Sequence, residues 1–294
     1  MMSAAAQRQW KLARRALSFG ERTLVMGILN ITPDSFSDGG QFRDLERALA
    51  HAEEMLAEGA DIIDIGGEST RPGGEMVSTA EELQRVVPVI ERLAKLSSVV
   101  ISVDTTKAEV ARAALDAGAE IVNDISALRF CERIADEAAH REAGLVLMHS
   151  RGAPDTLHGL PPVADIVPEV SESLRRSIAL AEQRGVSRAA IAIDPGFGFG
   201  KSQAQNVELL ANLAHVKQEF AELPLLVGTS RKSFIGKLLD NAAIEDRLHG
   251  TMASVAATIL HGADIVRVHD VRAAVETARV TDAIKRAAVG RQEV

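Results

Sequence analysis

Eight short β-branched runs, each followed by a longer segment whose apolar residues recur at three and four, set the pattern of this chain. The runs fall at residues 24–29, 61–65, 99–103, 120–123, 145–148, 190–193, 225–227 and 264–268. After the first, Leu49, Ala52, Met55 and Leu56 make one helical face; after the fifth, Val167, Val170, Leu174, Ile178 and Ala181 make another. A helix after every strand covers the outside of a parallel sheet, and right-handed crossovers curl that sheet in one sense. Eight such units is the number that closes a (β/α)8 TIM barrel, so the expected class is α/β with a single barrel domain. The repeated tripeptides Gly59-Ala60-Asp61, Gly118-Ala119-Glu120 and Gly262-Ala263-Asp264 fit that reading, each glycine ending a helix just before a strand. An open doubly wound sheet competes, but it carries a glycine fingerprint in its first strand–turn–helix unit. Here that unit reads Gly27-Ile28-Leu29-Asn30-Ile31-Thr32.

Hydrophobic residues make up 46% of the 294 and aromatics only 3%, so the core is built from Ala, Val, Leu and Ile, the diet of strands buried on both faces. A net charge of −8 without a basic stripe argues against nucleic acid as a partner. The lone Cys131 has no internal disulfide partner and fits a reducing compartment, so a cytoplasmic protein is expected. No apolar run reaches the roughly 18 residues of a membrane span. The barrel is expected over residues 21–294. Residues 1–20 are read as a lead-in, with a short amphipathic surface helix as its plain alternative.

The residues that break the strand patterns gather where each strand ends, the face on which barrels build active sites. Asn30 follows the first run, Glu68 and Arg71 the second, Asp104 the third, Asn123 and Asp124 the fourth. His149 follows the fifth, Asp194 the sixth, Ser230 to Lys232 the seventh, and Arg267 with His269 the eighth. A short polar residue after a strand can instead cap the next helix, and for Asp124 and Asp270 the two accounts stand level. Asp104, Asn123 and Asp194 suit the donor-rich edge of a flat heterocycle, with Lys232 balancing their charge. Arg71, Arg267 and His269 suit an anionic group such as diphosphate. Neighbouring side chains point apart, so Lys232 is expected inside and Arg231 in a structural role. His149 is read equally as a ligand contact or as support for one.

Two loops, residues 32–40 and 66–74, combine glycines with charges and hold Phe36, Asp38, Thr70, Arg71 and Pro72. They are read as flaps over a second, aromatic substrate, with static turns as the alternative. The stretch from Asp194 to Lys201 looks like a phosphate loop but lacks GxxxxGK[ST] spacing. Asp194 is expected to enter the pocket and Phe199 to pack on the face of a bound ring.

Together these stretches resemble the dihydropteroate synthase family. The matching segments are MGILNITPDSFSDGG from Met26, DIIDIGGESTRPG from Asp61, ISVDTTK from Ile101 and EIVNDIS from Glu120. LMHSRG from Leu147, DPGFGFGK from Asp194, LLVGTSRKSFIG from Leu225 and GADIVRVHDV from Gly262 complete them, one per strand and in order. The resemblance implies a homodimeric barrel that joins 6-hydroxymethyl-7,8-dihydropterin diphosphate to p-aminobenzoate with Mg²⁺, releasing pyrophosphate. It implies a pterin site at Asp104, Asn123, Asp194 and Lys232, and a diphosphate site at Asn30, Arg267 and His269, with Asn30 as the metal ligand. Phe36, Thr70, Pro72 and Ser233 would form the p-aminobenzoate pocket, Arg71 would help close the diphosphate and p-aminobenzoate side, and Asp38 would stabilise a developing pterin cation. Two departures stand out. Ala127-Leu128-Arg129-Phe130 replaces a glycine pair and an aspartate, and Pro161-Pro162-Val163-Ala164-Asp165 replaces a tyrosine–aspartate stretch.

The rival readings are a pterin-binding methyltransferase barrel and a catalytically silent barrel that serves as a binding partner. The methyltransferase calls for no diphosphate clamp and no arylamine flap; the intact ring speaks against the silent barrel, and the changed residues 127–130 speak for it.

Overall fold

Val- and Ile-rich runs favour extended backbone because their branched side chains pack well on a pleated surface. The computed structural model describes residues 8–31, 41–68, 77–152, 156 and 160–289. An antiparallel hairpin of β1 (Arg8–Lys11) and β2 (Ala16–Phe19) comes first. The eight runs then form β3 (Leu24–Asn30), β4 (Ile62–Gly66), β5 (Val100–Asp104), β6 (Ile121–Asp124), β7 (Gly144–Met148), β8 (Ile191–Asp194), β9 (Leu226–Val227) and β10 (Ile265–Val268). They pair in parallel in the order β8-β7-β6-β5-β4-β3-β10-β9, and a parallel bridge from Ile193 to Leu225 joins the two ends. The fold is a (β/α)8 TIM barrel.

Helices follow the strands and bury their apolar stripes against the barrel's outer wall. Leu49, Ala52 and Met55 do so from α1 (Gln41–Glu58). α2 (Thr79–Leu96) starts at Ser78, whose side chain accepts the Glu81 backbone N–H, and is followed by α3 (Ala108–Ala117) and α4 (Arg133–His140). Val170, Leu174, Ile178 and Ala181 cover the wall from α5 (Ile166–Gln183). α6 (Gln203–Ala211), α7 (Leu213–Glu219), α8 (Ser233–Leu238), α9 (Leu248–Leu260) and α10 (Val271–Val289) complete the coat.

Inside the barrel the side chains change character along the axis. Leu24, Met26, Ile62, Val100, Ile121, Val146, Ala192, Leu226 and Ile265 fill the lower part as one apolar cluster. Trp10, Leu12 and Phe19 of the hairpin belong to the same cluster. Residues 8–19 therefore form neither a loose lead-in nor a surface helix: β1 and β2 close the barrel's N-terminal end. Trp10 is fully buried, and its indole N–H donates to the Ala190 carbonyl at 2.8 Å. The acidic residues of the three Gly-Ala-Asp/Glu tripeptides ring this end. Glu120 lies 3.1 Å from Arg15 and 3.4 Å from Arg14, Asp61 pairs with Arg22 at 2.6 Å, and Asp264 with Lys217 at 2.8 Å.

Candidate active site

At the upper end the inward positions turn polar. Asp64 on β4, Asp104 on β5, Asn123 on β6, Asp194 on β8 and Arg267 on β10 all lie at or within a residue or two of a strand's end. The guanidinium of Arg267 ties three of these strands together. Its Nε donates to Asp64 Oδ2 at 2.6 Å and its Nη2 to Asp104 Oδ2 at 2.7 Å. Asn123 Nδ2 donates to the same Asp64 oxygen at 3.0 Å. The acidic and cationic groups that the sequence sorted to opposite sides of a cavity thus meet in one network.

Burial dominates the electrostatics. Removal from water pushes the Asp104 carboxyl up to about 7; Arg267 works against that shift, while Asp64, Glu82 and Asp124 add to it. Asp194 is pushed up to about 6 by burial, opposed by the Gly196 N–H, which donates to its Oδ1 at 2.7 Å, and by Lys232, Lys201 and Arg267. Lys232 is lowered to about 8 by burial and then by Arg267, with Asp194 and Asp104 pulling it back up. Its ammonium sits 4.1 Å from the centre of the Phe199 ring, within cation–π range. Phe199 packs with Ile125 and Met148 as a small apolar wall above the polar layer.

The segment after β9 divides its charges as adjacent residues must. Lys232 immediately precedes α8. Arg231, at φ +57°, turns away and grips Asp270 with two bonds of 3.0 and 2.6 Å. Asp270 therefore has a structural partner. Asp124 caps a turn, accepting from the Ser126 N–H and hydroxyl and from the Leu128 N–H. Ser230 Oγ accepts the His269 backbone N–H at 3.2 Å and lies 3.0 Å from its Nδ1, which fixes the imidazole beside Lys232's loop. Ser233 is exposed at the start of α8. Asn30 closes β3, and its Oδ1 lies 3.7 Å from where a Cβ on Gly66 would stand, with Asp104 on that position's other side at 3.5 Å. Phe36, Asp38, Thr70, Arg71 and Pro72 lie outside the described residues.

Three features escaped the sequence reading. Asp64 lies inside an apolar run, between Ile63 and Ile65, where a carboxylate at an inward strand position is itself a signal. Lys107 Nζ reaches both Glu68 Oε2 and Glu82 Oε2 at 2.5 Å, anchoring the start of the loop after β4 to α2. Lys201 meets His149, Nζ to Nδ1, at 2.8 Å.

The family model described as "Pterin binding enzyme" matches residues 26–269. A dihydropteroate synthase of Synechocystis sp. is 50% identical over 268 residues, covering 91% of this chain and 92% of the relative. The Yersinia pestis dihydropteroate synthase, solved with a sulfonamide drug, superposes with a TM-score of 0.87 at 43% identity, over 95% of this chain and 99% of that one. The Xanthomonas albilineans dihydropteroate synthase, solved with 7,8-dihydropteroate, does so with a TM-score of 0.83 at 43% identity, over 94% and 98%. Near-complete coverage at such identity, on a barrel whose polar mouth carries the matching residues, places this chain in the dihydropteroate synthase family of pterin-binding enzymes.

Proposed function

We propose that the chain condenses 6-hydroxymethyl-7,8-dihydropterin diphosphate with p-aminobenzoate, giving 7,8-dihydropteroate and pyrophosphate. The observation that carries the reading is the Arg267 network: one cation bonded to Asp64 and Asp104, beside Asn123, in a mouth shared with Asp194 and Lys232. Asp104, Asn123 and Asp194 offer acceptors and an amide to the N–H edge of a reduced pterin, while Lys232 donates to a ring oxygen or nitrogen. Phe199 and Met148 supply an apolar wall for the ring face.

Loss of diphosphate leaves positive charge on the pterin methylene, which the ring delocalises. Ionised Asp104 and Asp194 favour that cationic form, and Arg267 and His269 favour the anion that departs. An aniline nitrogen is already a usable nucleophile, so orientation against the methylene suffices and no strong base is required; the proton it sheds after the C–N bond forms passes to the departing pyrophosphate or to water. In this reading Phe36, Thr70, Arg71, Pro72 and Ser233 hold the arylamine, and Asp38 assists the cation.

Mg²⁺ belongs to the same reading. Among the described residues no group of three or more His, Cys, Asp or Glu side chains could hold a metal alone. Mg²⁺ keeps waters and substrate phosphates as most of its ligands, so one amide oxygen at the mouth suits it. Asn30, beside the gap left by Gly66, is that ligand, and the bound ion would neutralise diphosphate charge. Identity to synthases along nine-tenths of the chain favours this reaction over corrinoid methyl transfer and over a silent barrel.

A homodimer completes the reading. Leu260 on α9 and Val280 and Ile284 on α10 are half or more exposed, an apolar surface suited to a second copy. Among the described residues no helix is long and apolar enough to cross a membrane. A cytoplasmic location fits the lone Cys131.

The test is direct. Purified protein is mixed with pterin diphosphate, p-aminobenzoate and Mg²⁺, and dihydropteroate and pyrophosphate are measured. A parallel reaction without arylamine reveals whether diphosphate leaves first. Absence of dihydropteroate under saturating substrates would refute the assignment.

A further inference from the structure

The loop after β8 folds around a lysine that the proposed reaction does not use. Lys201 Nζ lies 2.7 Å from the Gly196 carbonyl, 2.8 Å from His149 Nδ1, 3.4 Å from the Phe199 carbonyl and 3.5 Å from the His149 carbonyl. Three carbonyl oxygens drawn from the ends of two neighbouring strands therefore converge on one point. Such oxygens repel one another unless a cation stands between them, and here the chain's own ammonium does so. An ammonium donates and cannot accept, so while Lys201 is charged His149 is the neutral tautomer that accepts at Nδ1. Burial, reinforced by Lys201, Arg129 and Arg151, pushes the imidazole down to about 2, in keeping with that neutral form.

The backbone around the ammonium has no slack. Gly196 sits at φ +67°, and a Cβ there would stand 1.9 Å from the His149 carbonyl oxygen. Asn206 ties the same loop from α6, its Oδ1 accepting the Gly198 N–H at 2.7 Å and its Nδ2 donating to the Lys201 carbonyl at 3.3 Å. Two residues of the pterin mouth hang from this frame. The Gly196 N–H donates to Asp194 Oδ1, and the residue whose carbonyl meets the ammonium, Phe199, carries the ring that faces Lys232.

We infer that Lys201 is a positioning residue: an internal cation, seated in a cage of carbonyls and the His149 imidazole, that sets the Asp194 carboxylate and the Phe199 ring for pterin. The inference rests on the pterin reading of this mouth and names what holds one wall of it. Burial lowers Lys201 to about 7, with Lys232 and Arg151 lowering it further and Asp194 and Glu169 opposing them, so the cage holds a full cation below that pH and gives up its charge above it.

The experiment compares Lys201→Ala with Lys201→Met. Removing one charge-assisted contact network weakens pterin diphosphate about tenfold or more, in KM and in calorimetric binding, while kcat and the p-aminobenzoate KM stay within about threefold. Ammonium, potassium or ethylammonium ions added to Lys201→Ala refill the cage and restore most of the affinity. Lys201→Met, whose side chain occupies the space, gains nothing from them. A second pair guards against misfolding: His149→Gln keeps an acceptor for the ammonium and stays near native affinity, whereas His149→Leu behaves like Lys201→Met. Native pterin affinity in Lys201→Ala, or a loss that no small cation relieves, would overturn the inference. Because binding is read directly, the outcome stands apart from whether the wild-type chain makes dihydropteroate.

Discussion

Arg267 and Asp64 form an ion pair of 2.6 Å across the upper barrel, between a carboxylate with no exposure and a guanidinium bonded at the same time to Asp104. Cation and acid both stand on strands of one closed sheet, so the barrel wall and not a loop sets their spacing. Asp64 thereby fixes the direction in which Arg267 points.

Asp64→Ala leaves Arg267 with one carboxylate partner and Asn123 without its acceptor. Removing one member of a buried pair costs about 3–5 kcal/mol. Urea unfolding is expected to show a loss in that range, and kcat/KM for pterin diphosphate is expected to fall by more than about tenfold. An unchanged kcat/KM in a stably folded Asp64→Ala or Asp64→Asn variant would remove Asp64 from the site.

The pH profile follows from the buried charges. Asp104 and Asp194, raised to about 7 and about 6, must lose their protons to accept N–H groups, so kcat/KM climbs as pH rises through that interval. Lys232, lowered to about 8, must keep its proton to donate, so kcat/KM declines above that value. Lys201, lowered to about 7, loses its cage charge over the same interval, so the free-enzyme profile is a narrow bell with its crest near pH 7. A flat profile from about pH 5 to 9 would contradict both assignments.

Ala127 and Leu128 follow each other at φ +48° and +71°, where the family resemblance places a glycine pair. A left-handed residue with a Cβ costs roughly 1–2 kcal/mol, and glycine's extra unfolded-state freedom returns about half of that. Ala127→Gly is expected to raise stability slightly, by up to about 1 kcal/mol. Leu128 is fully buried, so Leu128→Gly should instead lose about 3 kcal/mol or more despite the relieved backbone. Thermal unfolding of the two variants separates strain from packing, and shifts of the same sign would refute the distinction.

Trp10 offers a check on the hairpin. Trp10→Ala deletes the largest side chain in the lower cluster and strands the Ala190 carbonyl, at a cost of about 3–5 kcal/mol. The reaction end of the barrel lies opposite, so kcat per folded molecule should hold. A variant of native stability would mean that the hairpin does not close the core.

The barrel was legible because its strands are buried on both faces. Every residue of 100–103 or 121–122 must then be apolar or small, and such runs show without any periodicity. The hairpin was hidden for the opposite reason. Trp10 and Leu12 alternate with Gln9, Lys11 and Ala13, but the surrounding alanines and arginines are helix formers, and tertiary packing decides the outcome. At the site, Asp104, Asn123, Asp194 and Arg267 announced themselves by interrupting apolar runs near their ends. Asp64 sits two residues before its strand's end, with isoleucine on either side, and only the inward–outward alternation marks it. Lys201 was visible as part of a glycine-rich stretch, yet its partner His149 is 52 residues away and only the closed sheet brings them together.

With Trp10 and Leu12 stoppering its far end, this molecule is a cup and not a tube. Anything that binds at the polar rim must reach it from the rim's own side, because the floor beneath is packed solid.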